Sequence, residues 1–245
     1  MSIYSNENPQ EPLTNIKLQN AITPFDICAC KKSLALYITD YANYHKEHKE
    51  KHCIWKITVS GHKVCRWYCG VGEPYTLSVN SAGNVILLRS EENSQQIALE
   101  ILSDKAELIH IICLPDEIKD PEHALETSIG SYVICHMRNG DNIWTVSEVN
   151  RNGEIVRRLK GTEQLSEPKH LAMDAEDRVF VADWGENRVA VLGASLDWAD
   201  IFFTGKKDDK DGFRMPNRLC YVAEKKQLIV VSSSLKVCVY RVVIR

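Results

Sequence analysis

The sequence lacks the long apolar runs that mark membrane-spanning segments. Its apolar runs are short, such as residues 228–231, and a helix needs roughly 18 such residues to cross a bilayer. The first residues contain neither a basic region nor an apolar core, so no signal peptide is predicted. An excess of one charge is also lacking, since 30 Lys and Arg oppose 33 Asp and Glu. This balance argues against a surface built for nucleic acid or anionic membranes.

Common enzyme motifs are missing as well. The sequence contains no G-x-S-x-G, no G-x-G-x-x-G and no Walker lysine loop. Isolated Asp and His residues do not make an active site. We therefore expect a protein that is not an enzyme and that uses no cofactor.

The nine cysteines form no C-x-x-C pair, and the chain has no N-x-S/T acceptor site. Their number is odd, and several lie inside strand-like runs. A secreted protein of this size would be expected to pair its cysteines. The cysteines therefore predict reduced thiols in a cytoplasmic protein.

A repeat of five prolines organises the chain. The repeated residues, spaced 47 to 50 positions apart, are Pro24, Pro74, Pro121, Pro168 and Pro216. A short strand is predicted just after each proline, because proline is tolerated at a strand entrance. Second strands are predicted at 34–39, 85–88, 132–135, 179–182 and 228–231, third strands at 54–59, 97–101, 144–149, 188–192 and 237–240, and fourth strands at 64–67, 108–112, 155–159 and 201–203. Four short strands repeated at this period predict an all-β fold, a β-propeller of four-stranded blades.

The fifth unit has only three predicted strands. Residues 13–18 alternate between apolar and polar side chains, and we expect them to supply the missing outer strand and close the ring, because closure removes an unpaired sheet edge. The alternative is a disordered N-terminal segment and an open ring. The predicted organisation is a flexible tail at 1–12 and one propeller domain at 13–245.

The fourth unit carries the most specific motif. It combines Pro168, Asp174, Asp177, the run from Val179 to Asp183 and the triplet Asn187-Arg188-Val189. This unit resembles the NHL repeat, and the chain over 20–245 is similar to NHL-type propellers. The family usually has six blades, whereas this chain shows five units, so a six-bladed ring remains an alternative. The resemblance implies binding rather than catalysis, since some NHL propellers recognise protein substrates for ubiquitin ligases and others bind single-stranded RNA.

Two sets of residues are candidate binding residues. The residue two positions after each repeated proline should line the channel entrance, which gives Asp26, Thr76, His123, His170 and Arg218. These side chains could hold a ligand or a metal on the axis, or they could form a hydrated rim. The second set is Asp183 and Trp184, at the end of a strand in the fourth unit. Trp184 could contact a protein partner or pack against the next blade.

Three further patterns suggest other ligands more weakly. His45, His48, His52, Cys53, His62, Cys65 and Cys69 could form a zinc site, but the surrounding Lys and Glu residues favour a solvated loop. Residues 206–212 contain three aspartates that suggest a calcium loop, but Lys210 interrupts the alternating acidic positions and the closing glutamate of an EF-hand is missing. The loops expected on the binding face carry both charges, which disfavours RNA.

The sequence as a whole predicts a soluble monomer that recognises a protein or peptide. The recognition surface would include His170, Asp183, Trp184 and Arg218, with possible roles in substrate recognition for ubiquitin ligation. A single-stranded RNA-binding propeller is the first alternative. A metal-dependent propeller hydrolase or lyase is the second.

Overall fold

The computed structural model describes residues 2–4, 12–15, 24–40, 52–58, 64–70, 74–90, 96–160, 164–204, 214–233 and 236–242. Regular structure in these ranges is β-strand, apart from one short 3-10 turn at Ala223–Lys225. No helix in the described ranges is long and apolar enough to cross a membrane.

Twenty-one strands form the described fold. The N-terminal strands are β1 (Ser2–Tyr4) and β2 (Pro12–Asn15). The first blade contains β3 (Pro24–Cys30), β4 (Ala35–Asp40), β5 (His52–Thr58) and β6 (Val64–Gly70), and the second contains β7 (Pro74–Val79), β8 (Val85–Ser90), β9 (Ile97–Leu102) and β10 (Leu108–Cys113). The third contains β11 (Ile118–Glu126), β12 (Tyr132–Arg138), β13 (Trp144–Val149) and β14 (Ile155–Arg158), and the fourth contains β15 (Pro168–Met173), β16 (Val179–Asp183), β17 (Arg188–Leu192) and β18 (Trp198–Thr204). The fifth contains β19 (Pro216–Val222), β20 (Gln227–Ser232) and β21 (Val237–Arg241).

Each blade is an antiparallel sheet whose strands follow one another in chain order. The first strands of successive blades, from β3 to β19, lie side by side and form the inner wall of the ring. This arrangement confirms the predicted all-β propeller with five blades. The predicted strands at 144–149 and 188–192 coincide with β13 and β17.

A β-bulge recurs in the first strand of every blade. The register shifts between the start of the strand and the residue that faces the axis, for example between Pro168 and His170 and between Pro216 and Arg218. Such a bulge inserts one extra residue and re-aims the next side chain. The proline repeat therefore marks the place where each blade turns one side chain toward the axis.

The hydrophobic core is divided into clusters between neighbouring blades. Buried residues of the first and second blades form one cluster, which includes Tyr37, Ile54 and Leu87. Comparable clusters join the second blade to the third, the third to the fourth and the fourth to the fifth. Trp67 and Trp144 lie against two of these clusters and so pack between blades.

The predicted closure of the ring by residues 13–18 is wrong for the described part of that segment. β2 pairs with β1, not with β21, and the fifth blade has three described strands. A local pairing closes a short loop, which costs less chain entropy than closing the whole domain. Residues 16–18 lie outside the described residues. β1 lies within residues 1–12, and the predicted domain limits remain a prediction.

The expectation that all cysteines are reduced is also wrong. Cys53 and Cys69 form a disulfide across the paired strands β5 and β6. The two residues are directly opposite in the register, with Cα atoms 4.3 Å apart. Directly opposite residues in an antiparallel pair are near enough for a disulfide. The other seven cysteines are free.

Candidate functional site

The inner wall of the propeller brings five predicted residues together on the axis. Asp26, His123 and His170 come from three different blades, and their ligand atoms lie within 4.8 Å of one another. Thr76 is buried at the equivalent position of β7, which lies between β3 and β11, and Arg218 bonds Asp26 from the equivalent position of β19. Because Asp26, Thr76, His123 and His170 are all buried, this axial cluster lies inside the channel and does not form an open rim.

The carboxylate of Asp26 is held by both of its neighbouring blades. Its Oδ2 accepts the backbone N–H of Leu77 at 2.7 Å, and its Oδ1 accepts Nε–H of Arg218 at 3.1 Å. Its own N–H donates to Thr39 Oγ1 at 2.8 Å. Burial raises the pKa of Asp26, whereas the charge of Arg218 and the hydrogen bonds from Leu77 and Arg218 to the carboxylate oppose that rise. Each carboxylate oxygen retains a second lone pair for a further ligand.

The two imidazoles of the cluster lie face to face. The rings of His123 and His170 are stacked with centroids 3.7 Å apart. Burial lowers the pKa of His123 to about 3, and the charge of Arg218 adds to this effect. Burial, the neighbouring His123 and Arg218 hold the pKa of His170 well below its ordinary value. Both rings are therefore neutral at physiological pH, the form that binds metals.

The pattern of hydrogen bonds between blades repeats around the axis. His170 Nδ1 accepts the backbone N–H of Leu219 in the next blade at 3.4 Å, as Asp26 accepts that of Leu77. Each of these side chains thus spans the join between two blades. The axial residues contribute to the cohesion of the inner wall as well as to the chemistry of the site.

Two buried polar atoms of the cluster have no hydrogen-bond partner among the described residues. They are Thr76 Oγ1 and His123 Nδ1. Buried polar groups are nearly always satisfied by protein, water or ligand, since an unpaired group costs about 1–3 kcal/mol. The cluster therefore has spare hydrogen-bonding or ligating capacity that an additional bound group would satisfy.

Arg218 makes further backbone contacts and is the partly exposed member of the axial cluster. Besides Asp26, its guanidinium donates to the backbone oxygens of Phe25 at 3.2 Å and Asn217 at 3.0 Å. Its side chain is 28% exposed, whereas that of Asp26 is fully buried. Arg218 is thus the member of the cluster that solvent reaches.

Asp183 and Trp184 have local structural contacts in the fourth blade and its neighbour. The fully buried carboxylate of Asp183 accepts the N–H groups of Ser166 and Glu167 and pairs with Arg188 Nε at 2.9 Å. Trp184 is partly exposed, and its Nε1–H donates to Ser233 Oγ of the fifth blade at 2.9 Å. These contacts account for both residues in the fold, and their predicted role in binding a partner remains a prediction.

Several residues of the other predicted ligand sets lie outside the described residues. His45, His48, His62 and residues 206–212 lie outside the described residues, and only the backbone of His52 is described. Cys53 and Cys69, two members of the proposed zinc set, are joined in the disulfide. The register of Ile57 with Val64, continued along the strands, would place Cys53 opposite Tyr68, and a register shift between Ile54 and Trp55 brings Cys69 opposite Cys53 instead, so regular hairpin pairing would not have predicted this disulfide.

Comparison with solved structures identifies the same fold in larger proteins. Virginiamycin B lyase from Staphylococcus aureus superposes with a TM-score of 0.57 and 16% identity, over 92% of this chain and 72% of that one. The structure of a nidogen/laminin complex superposes with a TM-score of 0.65 and 12% identity, over 98% of this chain and 88% of that one. The luciferin-regenerating enzyme superposes with a TM-score of 0.57 and 11% identity, over 90% of this chain and 76% of that one. No family model matches the sequence, and no curated protein matches it either.

The expectation that the protein is not an enzyme is wrong as an inference from its fold and motifs. Virginiamycin B lyase and the luciferin-regenerating enzyme are enzymes with this fold. A propeller brings its functional residues together from separate blades, so a short linear motif is not needed for catalysis. At these low identities the likeness establishes the propeller fold, and it leaves the activity to be argued from the site.

Proposed function

We propose that this propeller is a metal-dependent lyase or hydrolase whose divalent cation is held on the axis by Asp26, His123 and His170. The observation that carries this proposal is the convergence of one carboxylate and two neutral imidazoles, all buried, within 4.8 Å of one another. Such a set of one carboxylate and two histidines is a common donor set for zinc and other divalent metals. His170 would bind the metal through Nδ1 and give up its 3.4 Å contact with the N–H of Leu219, because a neutral ring that accepts at Nδ1 carries its proton on Nε2.

The unpartnered atoms support a bound group at this position. His123 Nδ1 is buried without a partner, so it has a lone pair available for a cation if the proton lies on the other ring nitrogen. Thr76 Oγ1 is equally unpaired and could hydrogen-bond a water or substrate atom beside the cation. A bound divalent metal would supply Lewis-acid polarisation of a substrate oxygen.

Arg218 has a distinct role in the proposal. It neutralises Asp26 and orients its carboxylate, and its partly exposed side chain is accessible to solvent. A guanidinium in this position can stabilise negative charge that develops on a substrate. Its positive charge also lowers the affinity of the cluster for a cation, so metals that bind imidazole tightly are favoured over magnesium.

Metal binding tests the proposal directly. Elemental analysis of the purified protein, followed by titration of the metal-stripped protein with Zn²⁺ and Co²⁺, should give one tightly bound ion per chain. His123→Asn should weaken binding by at least about tenfold. His136→Asn is the matched control, because His136 is buried with both ring nitrogens hydrogen-bonded to Met137 and Ser147. Absence of saturable binding of either metal to the wild-type protein would refute the proposal.

Protein recognition is a second candidate function. It is supported by the similarity to the propeller in the nidogen/laminin complex and by the partly exposed Trp184, which directly follows β16. Membership of the NHL family and substrate recognition for ubiquitin ligation are finer forms of this candidate, and single-stranded RNA binding is the alternative to it. Filter binding of labelled RNA at two salt concentrations tests the alternative, because contacts to phosphate weaken steeply with salt.

A cytoplasmic location and a monomeric state remain predictions. The Cys53–Cys69 disulfide weighs against the cytoplasm, because disulfides persist mainly in oxidising compartments. Thiol counting on protein purified from its native source would decide this point.

A further inference from the structure

The join between the fifth and the first blade, here called the open join, differs from the other four joins. In the other blades, the apolar residue that follows the axial residue is buried against the preceding blade. Leu77, Ala124, Leu171 and Leu219 are all 5% exposed or less. Ile27 has the same position in the first blade and is 49% exposed. The first blade therefore lacks, at this position, the apolar cover that every other blade receives.

The fifth blade shows the same difference on the opposite side of the open join. Ile54, Leu99, Val146 and Val189 have the same register position on the third strands of the other blades, and each is 2% exposed or less. Val237 has this position in the fifth blade and is 61% exposed. Val239, two residues further along β21, is 56% exposed. The face of β21 that would pack against a following blade is uncovered.

Polar contacts connect the two blades where apolar packing is missing. Arg218 pairs with Asp26 at the inner strands, and Lys31 pairs with Glu224. The buried cluster on the facing side of the first blade contains Ile38, Trp55 and Ile57, and it includes no described residue of the fifth blade. The open join is thus held by ion pairs along an apolar surface that remains partly exposed.

The edge of the fifth blade adds a second feature at the same place. β21 is the outermost described strand of its blade, whereas each other blade has a fourth strand. An edge strand presents unpaired N–H and C=O groups, and natural proteins cover such edges or protect them with charges. Here the exposed valines lie on a sheet with three described strands, whereas the sheet of each other blade has four.

The charges around this edge have one sign. Lys225, Lys226, Lys236 and Arg241 are exposed near the ends of β21, and none of them forms an ion pair with another described residue. The acidic residue nearest in sequence, Glu224, is already paired with Lys31. A strand that added to β21 would meet apolar side chains at its centre and positive charges at both ends.

We propose that β21 receives an extended strand from a partner protein, apolar at alternate central positions and acidic at both ends. Backbone pairing to the edge supplies affinity, and alternate side chains beside Val237 and Val239 supply specificity. A second copy of this chain fits less well, since antiparallel pairing of two β21 strands would bring Lys236 and Arg241 of both copies together, and like charges across strands are destabilising. This interaction surface is independent of the axial metal site.

Fluorescence anisotropy with a labelled peptide tests the proposal on the full chain. The probe is Glu-Glu-Thr-Val-Thr-Val-Thr-Glu-Glu, compared with a peptide that has lysine for glutamate and one that has proline for the central threonine. The acidic peptide should bind saturably, and both altered peptides should bind at least about tenfold more weakly. Val239→Lys should weaken binding by a similar factor. Val156→Lys is the matched control, since Val156 is 51% exposed on the outer strand of the complete third blade.

Hydrogen exchange and sedimentation distinguish the possible occupants. Addition of the acidic peptide should protect amides of β21 in a protein that sediments as a monomer. Three results would overturn the proposal: no saturable binding of the acidic peptide, β21 amides already protected in the free monomer, or a dimer that Val239→Lys dissociates. The second result would assign the edge to another part of this chain, and the third to a second copy. Metal binding by Val239→Lys should equal that of wild type, which keeps this test separate from the axial site.

Discussion

The ion pair between Arg218 and Asp26 should be important for stability because it crosses the open join. Arg218→Met removes the cation and leaves the fully buried carboxylate of Asp26 without its partner. Breaking a buried ion pair in this way costs about 3–5 kcal/mol. We expect a value near about 3 kcal/mol, because the 28% exposure of the Arg218 side chain lets water compensate in part. In a protein of this size, that loss lowers Tm by about 6–12 °C.

The physical reason for this loss can be tested with a second substitution. Asp26→Asn in the Arg218→Met background removes the uncompensated charge, and its amide oxygen can still accept the N–H of Leu77. We expect the double variant to recover about 1–2 kcal/mol relative to Arg218→Met. Arg158→Met is the control, since Arg158 forms an exposed ion pair with Glu117, which is worth about 0–1 kcal/mol.

Urea unfolding at pH 7.5, followed by circular dichroism in the presence of EDTA, measures all four proteins. The chelator removes any effect of a metal on the axial cluster. Equal stability of Arg218→Met and Arg158→Met would refute the reasoning, because the buried pair would then contribute no more than a surface pair. Lack of recovery in the double variant would show that the loss comes from the packing of Arg218 and not from the charge of Asp26.

Three further predictions concern packing, protonation and the disulfide. Leu171→Ala should lower the free energy of unfolding in urea by about 3 kcal/mol. Ile27→Ala, at the equivalent but exposed position, should lower it by less than about 1 kcal/mol. Equal losses of stability would show that the open join is packed in solution. Burial lowers the pKa of His136. The neutral ring therefore stabilises the fold at neutral pH, and this contribution is lost as the pH falls below about 6.5. His136→Asn should reduce the difference in unfolding free energy between pH 7.5 and pH 5 by up to roughly 2 kcal/mol. Alkylation of the unreduced, denatured protein should modify seven cysteines, with Cys53 and Cys69 protected, and modification of all nine would contradict the disulfide.

Much of the fold was predictable because its local signals agree with one another. The proline spacing and the alternating apolar residues predicted five blades, and strands such as β13 and β17 begin and end where the pattern placed them. The predicted axial positions include Asp26, His123 and His170, which the structure brings together. Repeated units place equivalent residues at equivalent positions around an axis, so one repeat predicts the others.

The contacts within the cluster were not predictable in the same way. The stacking of His123 on His170, the pairing of Asp26 with Arg218 and the unpartnered Thr76 depend on distances between separate blades. Because most of these side chains are buried, they form an internal cluster, whereas the sequence predicted residues at the entrance of the channel. Nothing in the linear sequence gives those distances, because each residue comes from a different repeat.

The sequence by itself determined the period, the strands and the identity of the residues that face the axis, because those features follow from local backbone preferences and alternation. Only the tertiary structure decided which edges are covered. The segment at 13–18 has strand-like alternation, yet β2 pairs with β1 and leaves β21 as the outermost described strand of its blade. Alternation predicts that a segment forms a strand, whereas the choice of neighbour depends on the competing free energies of all available edges. The same competition leaves Ile27 and Val237 exposed at positions that are buried in the other blades.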